Sequence, residues 1–574
     1  MLCSSYAFVL VSLLAGYCCY NPLCDLLLVQ LPEGKIRGHV LESQDGKDFF
    51  AFQEIPYAAP PVGKNRFKDP LPPIPWTDIL NATQNKRVCM QNNASALTAV
   101  PEDMEISEDC LYINVYTPRV PGTSQELLPV LFWVHAGGYF YGSGALQYYD
   151  PKYFMDYDII VVTMNYRLGP LGFLTTEDNV IPGNLGLKDT VQALKWTYDN
   201  INTFGGDKHK ITVMGESAGS TTAGFMHLSK RTQGMVAGYI LESGTPISPY
   251  AYQPNARQYA FKLAKLLDNT FTSEDSNQLL ESLLSKTAEE ITDTMVSNDG
   301  FTANPVGALV IWLPVVEKKG TPNAIITEPM YEILNNGDYN AVPFMTGFTS
   351  EESLFFLRYL SSANLQFFKE LLDNNTQLVL HPHLNIDPAA LPEAAKEYKE
   401  IFTSKTFAED NGAYVRYLTE DVFSTPNIKH AELASHKAVS YVYEFAYKGK
   451  MGGFTDNLKY TEGANDVAHT EELHYLFGGR EGVRDDIKSY PKEDQLTMKR
   501  MLTLWTNFIK YQNPTPTKEE ILDNTIWPSL ACNGNGKIKY LSINKTLESR
   551  VDPKSYQKAN KLLEKYHKPP YYVY

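Results

Sequence analysis

Short runs rich in Val, Ile, Leu and Phe recur along the chain, separated by longer stretches in which apolar residues return every three or four positions. Runs at 130–135, 159–165, 210–214, 238–242, 342–346 and 439–445 predict strands, because β-branched and aromatic residues concentrate there between turn-forming residues. The stretches 187–204 and 218–227 predict helices. A later helix is predicted over 494–511, ahead of a turn at Gln512-Asn513-Pro514. Its Met498, Met501, Leu502, Trp505 and Ile509 share one face, which reads as core rather than as a dimer seam. Strands alternating with helices imply an α/β fold with a large central, mostly parallel sheet flanked by helices. Ligands in such sheets bind beyond the carboxyl ends of the strands, so candidate chemistry is sought in the loops that follow the predicted strands.

The N-terminus breaks this rhythm. An apolar run at 8–16 lies in an uncharged stretch and is too short to cross a bilayer as a helix, which needs about 20 residues. Small residues stand at Ala15, Gly16 and Cys18, so residues 1–20 read as a secretory signal, although no positive charge precedes the run. No later run reaches membrane-spanning length, and the C-terminal segment has neither a lipid-anchor nor a retrieval pattern. The expectation is a secreted, extracellular protein without a membrane anchor. Cys3, Cys18 and Cys19 would leave with the signal, and Cys24 sits at its edge. Cys89 and Cys110 are close enough in sequence to close one small loop, which leaves Cys532 unpaired. Glycosylation sequons occur at Asn81, Asn93, Asn374 and Asn544.

Composition narrows the class. The 574 residues carry 51 basic and 66 acidic side chains, a net charge of −15, which argues against a nucleic-acid surface. With 43% hydrophobic residues there is material for a large core without a metal or disulfide staple. Length by itself suggests three or four domains at about 150 residues each. Neither a repeat nor a low-complexity linker marks their boundaries.

The sharpest chemical signal is Gly215-Glu216-Ser217-Ala218-Gly219, directly after Ile211-Thr212-Val213-Met214 and opening a predicted helix. A strand that turns sharply into a helix needs small residues around the serine and leaves its hydroxyl exposed above the sheet. The Ala218 N–H would face a developing oxyanion there. His135-Ala136-Gly137-Gly138-Tyr139 closes another predicted strand, and its glycines let two N–H groups converge on one oxygen. A serine nucleophile also needs a base and an orienting acid, in chain order Ser, acid, His for a hydrolase of this build. His469 follows a loop-like run from Gly463, whereas His474 lies in an apolar segment and reads as a core histidine. Glu351 and Glu352 both follow the strand around 342–346, and spacing does not choose between them.

Taken together the motifs resemble the type-B carboxylesterase/cholinesterase family of α/β-hydrolases. The resemblance runs from about residue 34 to the turn after the late helix. It includes Ile55-Pro56-Tyr57-Ala58, Glu108-Asp109-Cys110-Leu111, Asn165-Tyr166-Arg167-Leu168-Gly169, Gly183-Asn184-Leu185-Gly186 and Phe204-Gly205-Gly206-Asp207, in order. It implies one large hydrolase domain over 21–574. It further implies a Ser217, Glu352 and His469 triad, with Gly137, Gly138 and Ala218 as the oxyanion hole. It matches Cys89 and Cys110 to the family's first disulfide. The reaction implied is carboxylic-ester hydrolysis of a small molecule, with no metal or cofactor, by a monomer or homodimer.

Two relatives of other kinds fit less well. Adhesion domains of this family lack the triad, whose positions are all filled here. Cholinesterases hold choline with a tryptophan inside the first disulfide loop, and residues 90–109 contain none. Hormone esterases of the family more usually carry Gln at the position of Glu216, which tilts the expectation toward a general carboxylesterase. Ala308 and Val310 stand where cholinesterases place bulky Phe, which predicts a roomier acyl pocket.

Overall fold

The computed structural model describes residues 27–92, 100–123, 126–294, 296, 310–452, 458–464, 467–479, 486–530 and 537–574. The predicted signal, Asn93, Ala308 and the cysteines other than Cys89 and Cys110 lie outside the described residues.

Eleven strands of the described residues form one sheet. In chain order they are β1 (His39–Glu42), β2 (Asp48–Pro56), β3 (Tyr112–Thr117), β4 (Leu128–Val134), β5 (Ile160–Met164) and β6 (Gly206–Glu216). They continue with β7 (Gly238–Glu242), β8 (Phe344–Thr349), β9 (Ser440–Phe445), β10 (Lys539–Ile543) and β11 (Leu547–Val551). Their spatial order is β11-β10-β9-β8-β7-β6-β4-β5-β3-β2-β1. From β5 across to β10 every pairing is parallel. The edges are antiparallel: β3 pairs with β5 and β2, β1 with β2, and β11 with β10.

All six predicted strands fall inside the parallel run, and they do so because they are buried on both faces. Along β4, Val130, Phe132 and Val134 enter one core while Leu131 and Trp133 enter the other. In β7, Tyr239 and Leu241 side with the first core and Ile240 with the second. Such strands read as continuous apolar runs instead of alternating ones.

Helix α1 (Leu185–Asn200) continues into a 3-10 turn at Ile201–Phe204, so the element predicted over 187–204 has two geometries. Helix α2 (Ala218–Leu228) is buried along its whole length, which its run of Ala, Gly, Ser and Thr permits. Both contribute to the first core. Helix α3 (Lys492–Tyr511) covers the opposite face, and Met498, Met501, Leu502, Trp505 and Ile509 are all buried in the second core. The face is core, as expected. Trp505 also donates its indole N–H to Glu242 Oε1 at 2.7 Å, which satisfies a carboxylate buried at the end of β7. Cys89 and Cys110 are joined by a disulfide. Asn81 and Asn374 are exposed, and Asn544 is half-buried.

Truncating Trp505 to Ala removes a fully buried ring together with its N–H bond to Glu242, so it is expected to cost about 3–5 kcal/mol. The check is a denaturant titration, in which the midpoint falls. A midpoint within error of the parent protein would contradict this packing.

Candidate active site

Strand β6 ends at Glu216, and Ser217 turns the chain into α2 with φ 55° and ψ −123°. A non-glycine residue holds such a conformation only when its surroundings enforce it. Here they do. A Cβ on Gly215 would run into the carbonyl of Gly219, and a Cβ on Gly219 would run into the carbonyl of Val134. The spaced glycines are thus required by backbone passing over backbone. Ser217 stands at the N-cap of α2, yet its side chain makes no capping hydrogen bond. Its N–H is occupied instead by Glu242 O at 2.9 Å, so the hydroxyl stays available at the cleft.

The strand-end glycines lie beside it. Gly137 and Gly138 have φ of 116° and 57°, and a side chain on Gly137 would collide with the carbonyl of Tyr141. The amides of Gly137, Gly138 and Ala218 make no hydrogen bond among the described residues. Ala218 is the first residue of α2, so its N–H also lies at the positive end of the helix.

His469 arrives from a loop after β9 and Glu352 from the loop after β8. His469 Nδ1 lies 2.5 Å from Glu352 Oε2, and the His469 N–H donates to the Glu352 carbonyl at 3.3 Å. The other carboxylate oxygen of Glu352 accepts from Ser243 Oγ at 2.6 Å and from the Thr349 N–H at 2.7 Å. Glu351 is also buried, but its N–H ties to Val467 O and the carboxylate at the imidazole is that of Glu352. On the far side of the ring, Nε2 lies 3.0 Å from Glu216 Oε1. The imidazole is therefore flanked by carboxylates at both nitrogens. His474 is buried with Nδ1 3.2 Å from Glu471 O, consistent with a core histidine.

Ser217, His469, Gly137, Gly138 and Glu216 line one cleft. Phe140, Tyr141, Tyr250, Val310, Phe355, Phe356 and Phe423 supply its apolar and aromatic wall, and neither Lys nor Arg is among the described residues that line it. The rings of Phe356 and Phe423 lie 5.3 and 4.8 Å from that of His469. Burial holds the Tyr250 phenol well above its ordinary pKa, so it stays neutral, and its O–H donates to Ser243 O at 2.9 Å.

Ser243, the aromatic wall and the role of Glu216 in the cleft were missed by sequence reasoning. A signal for Ser243 existed: β7 pairs in register with β6, Glu242 opposite Glu216, so the residues after both strands are serines at the same height in the sheet. Phe423 gave none. It sits on a π-helical turn, Glu420–Ser424, inserted between two α-helical stretches, and no periodicity marks such an insertion.

Comparisons with known proteins give the family and the fold. The model of the carboxylesterase family matches residues 25–562. The chain belongs to the carboxylesterase family. It is 31% identical to a juvenile hormone esterase of Tribolium castaneum over 92% of this chain and 89% of that protein. It is 34% identical to a juvenile hormone esterase of Heliothis virescens, with 88% of each covered. The crystal structure of juvenile hormone esterase from Manduca sexta, with OTFP covalently attached, superposes with a TM-score of 0.81 at 27% identity, covering 94% of this chain and 99% of that one. This carboxylesterase family member is a carboxylic ester hydrolase of α/β-hydrolase fold.

Two outcomes test the site as built. Gly215→Ala forces the elbow off its path and is expected to cut esterase activity at least about 100-fold, since a 1 Å misplacement costs that much; circular dichroism checks that the fold survives. The second concerns the π-turn. Burial pushes the Asp421 carboxyl up to about 7, only partly offset by the hydrogen bond from the Tyr398 O–H. A carboxyl raised in the fold is protonated there while its unfolded counterpart is ionised, so its contribution to stability is lost as pH rises toward about 7. Asp421→Asn removes that loss, and its gain in unfolding midpoint is expected to be larger near pH 8 than near pH 5. Equal gains at both pH values would contradict a raised Asp421.

Proposed function

We propose that this esterase is a secreted serine hydrolase that works through an acyl-enzyme. Ser217 Oγ attacks the ester carbonyl while His469 Nε2 takes its proton, and Glu352 holds the imidazole by Nδ1 and offsets its developing charge. The oxyanion of the tetrahedral intermediate is received by the amides of Gly137, Gly138 and Ala218, each such donor being worth about 3 kcal/mol. His469 then protonates the departing alcohol, and water clears the acyl group by the reverse sequence. The observation that carries this reading is the 2.5 Å contact of His469 Nδ1 with Glu352 Oε2, in one cleft with a strained Ser217. Glu216 places a second carboxyl group at the ring, on the Nε2 side opposite Glu352.

The substrate class follows from the walls. A cleft bounded by six Phe and Tyr rings with no Lys or Arg in its described lining suits neutral, apolar esters. Val310 lies in the wall, in keeping with room for an acyl chain longer than acetate. Relatives of similar identity are named juvenile hormone esterase, venom carboxylesterase-6 and esterase FE4, so hormone ester stands beside general ester as a reading. Secretion is supported by the N-terminal apolar run and by the disulfide, and no helix among the described residues is long and apolar enough to cross a membrane.

The test is turnover of naphthyl esters of increasing acyl length, and of juvenile hormone, with and without an organophosphate. Stoichiometric labelling of Ser217 with loss of turnover is expected. Ser217→Ala is expected to lower kcat by about 10⁵–10⁶ and Glu352→Gln by about 10⁴. Retained activity in Ser217→Ala would overturn the mechanism.

A further inference from the structure

The residue after His469 has a costly conformation and an idle side chain. Thr470 has φ 72° and ψ −1°, the left-handed region that a β-branched residue rarely occupies because its side chain crowds the neighbouring carbonyl. Its position is an N-cap, ahead of the 3-10 turn Glu471–Tyr475, where a threonine hydroxyl ordinarily accepts from a backbone amide. Thr470 makes no such bond; only its carbonyl serves the turn, accepting from the Leu473 N–H at 3.2 Å. Oγ1 is buried and has no hydrogen-bond partner among the described residues. The residue is 7% exposed and lines the cleft that holds Ser217 and His469. A buried hydroxyl without a partner is unfavourable in the empty protein, and so is the backbone that carries it. Two independent penalties at one residue, adjacent to the imidazole, point to a partner that arrives with substrate.

We propose that Thr470 is a specificity-determining residue whose hydroxyl hydrogen-bonds an oxygen in the alcohol portion of the ester. This rests on the serine mechanism above. The side of the cleft follows from the neighbours: the oxyanion amides belong to Gly137, Gly138 and Ala218, whereas Thr470 follows the imidazole that protonates the leaving oxygen. The rings of Phe355, Phe356 and Phe423 pack around that imidazole and offer nothing to a polar atom, and Glu216 stands on its Nε2 side. One hydroxyl in such surroundings discriminates strongly, because an unmatched polar group on either partner remains desolvated and unpaired. The preferred substrates are therefore neutral esters whose alcohol carries an ether, hydroxyl or carbonyl oxygen a few bonds from the ester oxygen.

The experiment compares kcat/KM for 2-methoxyethyl butanoate and butyl butanoate, which differ by one ether oxygen in place of a methylene. Thr470→Val keeps the β-branch and removes the hydroxyl. It is expected to lower kcat/KM for the methoxyethyl ester about 10-fold while leaving the butyl ester within about twofold. Thr470→Ser restores the hydroxyl and is expected to keep the parent's preference, and Thr470→Ala to shift it as Val does. Parallel loss on both esters, or an unchanged ratio, overturns the proposal. Organophosphate labelling of Ser217 in each variant separates the two levels: a labelled enzyme with an unchanged ratio fails the specificity claim alone. An unlabelled parent protein fails the mechanism beneath it.

Discussion

At residues 215–219 the chain leaves the sheet through a space with room for backbone alone. The end of β4 lies against Gly219 and the first turn of α2 lies against Gly215, so each contact forbids a side chain. That close approach compresses strand, turn and helix into five residues and holds Ser217 at a positive φ it would not otherwise keep. Everything else at the site is measured from this turn. It points the serine hydroxyl away from the capping role, places the Ala218 amide at a helix N-terminus, and brings the glycines after β4 alongside.

The parallel sheet supplies the rest of the constellation by a simple rule. Seven adjacent strands run the same way, so their carboxyl ends lie along one edge, and loops that are remote in sequence open beside one another. Glu352 follows β8 and His469 follows β9, while Ser217 and Ser243 follow the neighbouring β6 and β7. The hydrogen bonds from Ser243 and Thr349 occupy Glu352 Oε1 and leave Oε2 to the imidazole. Burial raises the stake of that arrangement, since a carboxylate removed from water must have its oxygens satisfied to stay charged.

The aromatic wall obeys a different logic. Phe355 and Phe356 come with the loop that brings Glu352, so orienting acid and apolar wall are one covalent unit. Phe423 depends on the π-turn, where one extra residue per turn rotates the following side chains and leaves two acids, Glu420 and Asp421, inside the protein. Burial pushes both carboxyls up to about 7, so this wall is anchored by groups that give up their charge to remain buried.

Much of this was legible in the amino-acid sequence. The six central strands declared themselves because burial on both faces demands unbroken apolar runs, and the elbow because only glycine fits at positions 215 and 219. The order of Ser217, acid and His469 needed only chain order. Strands β1 and β11 did not show because they are short and mostly half-buried or exposed, whereas β2, β3 and β10 are largely buried and were not singled out, β2 being interrupted by a register shift between Phe52 and Ile55. Spacing could not choose between Glu351 and Glu352, because adjacent residues after a strand differ in direction and not in composition. That choice, like the pairing of Ser243 with Glu352, the approach of Glu216 to His469 and the idle hydroxyl of Thr470, was made by the tertiary structure. Local sequence specifies which residues can turn, cap or pack; which carboxylate faces which imidazole depends on the register of strands more than a hundred residues apart.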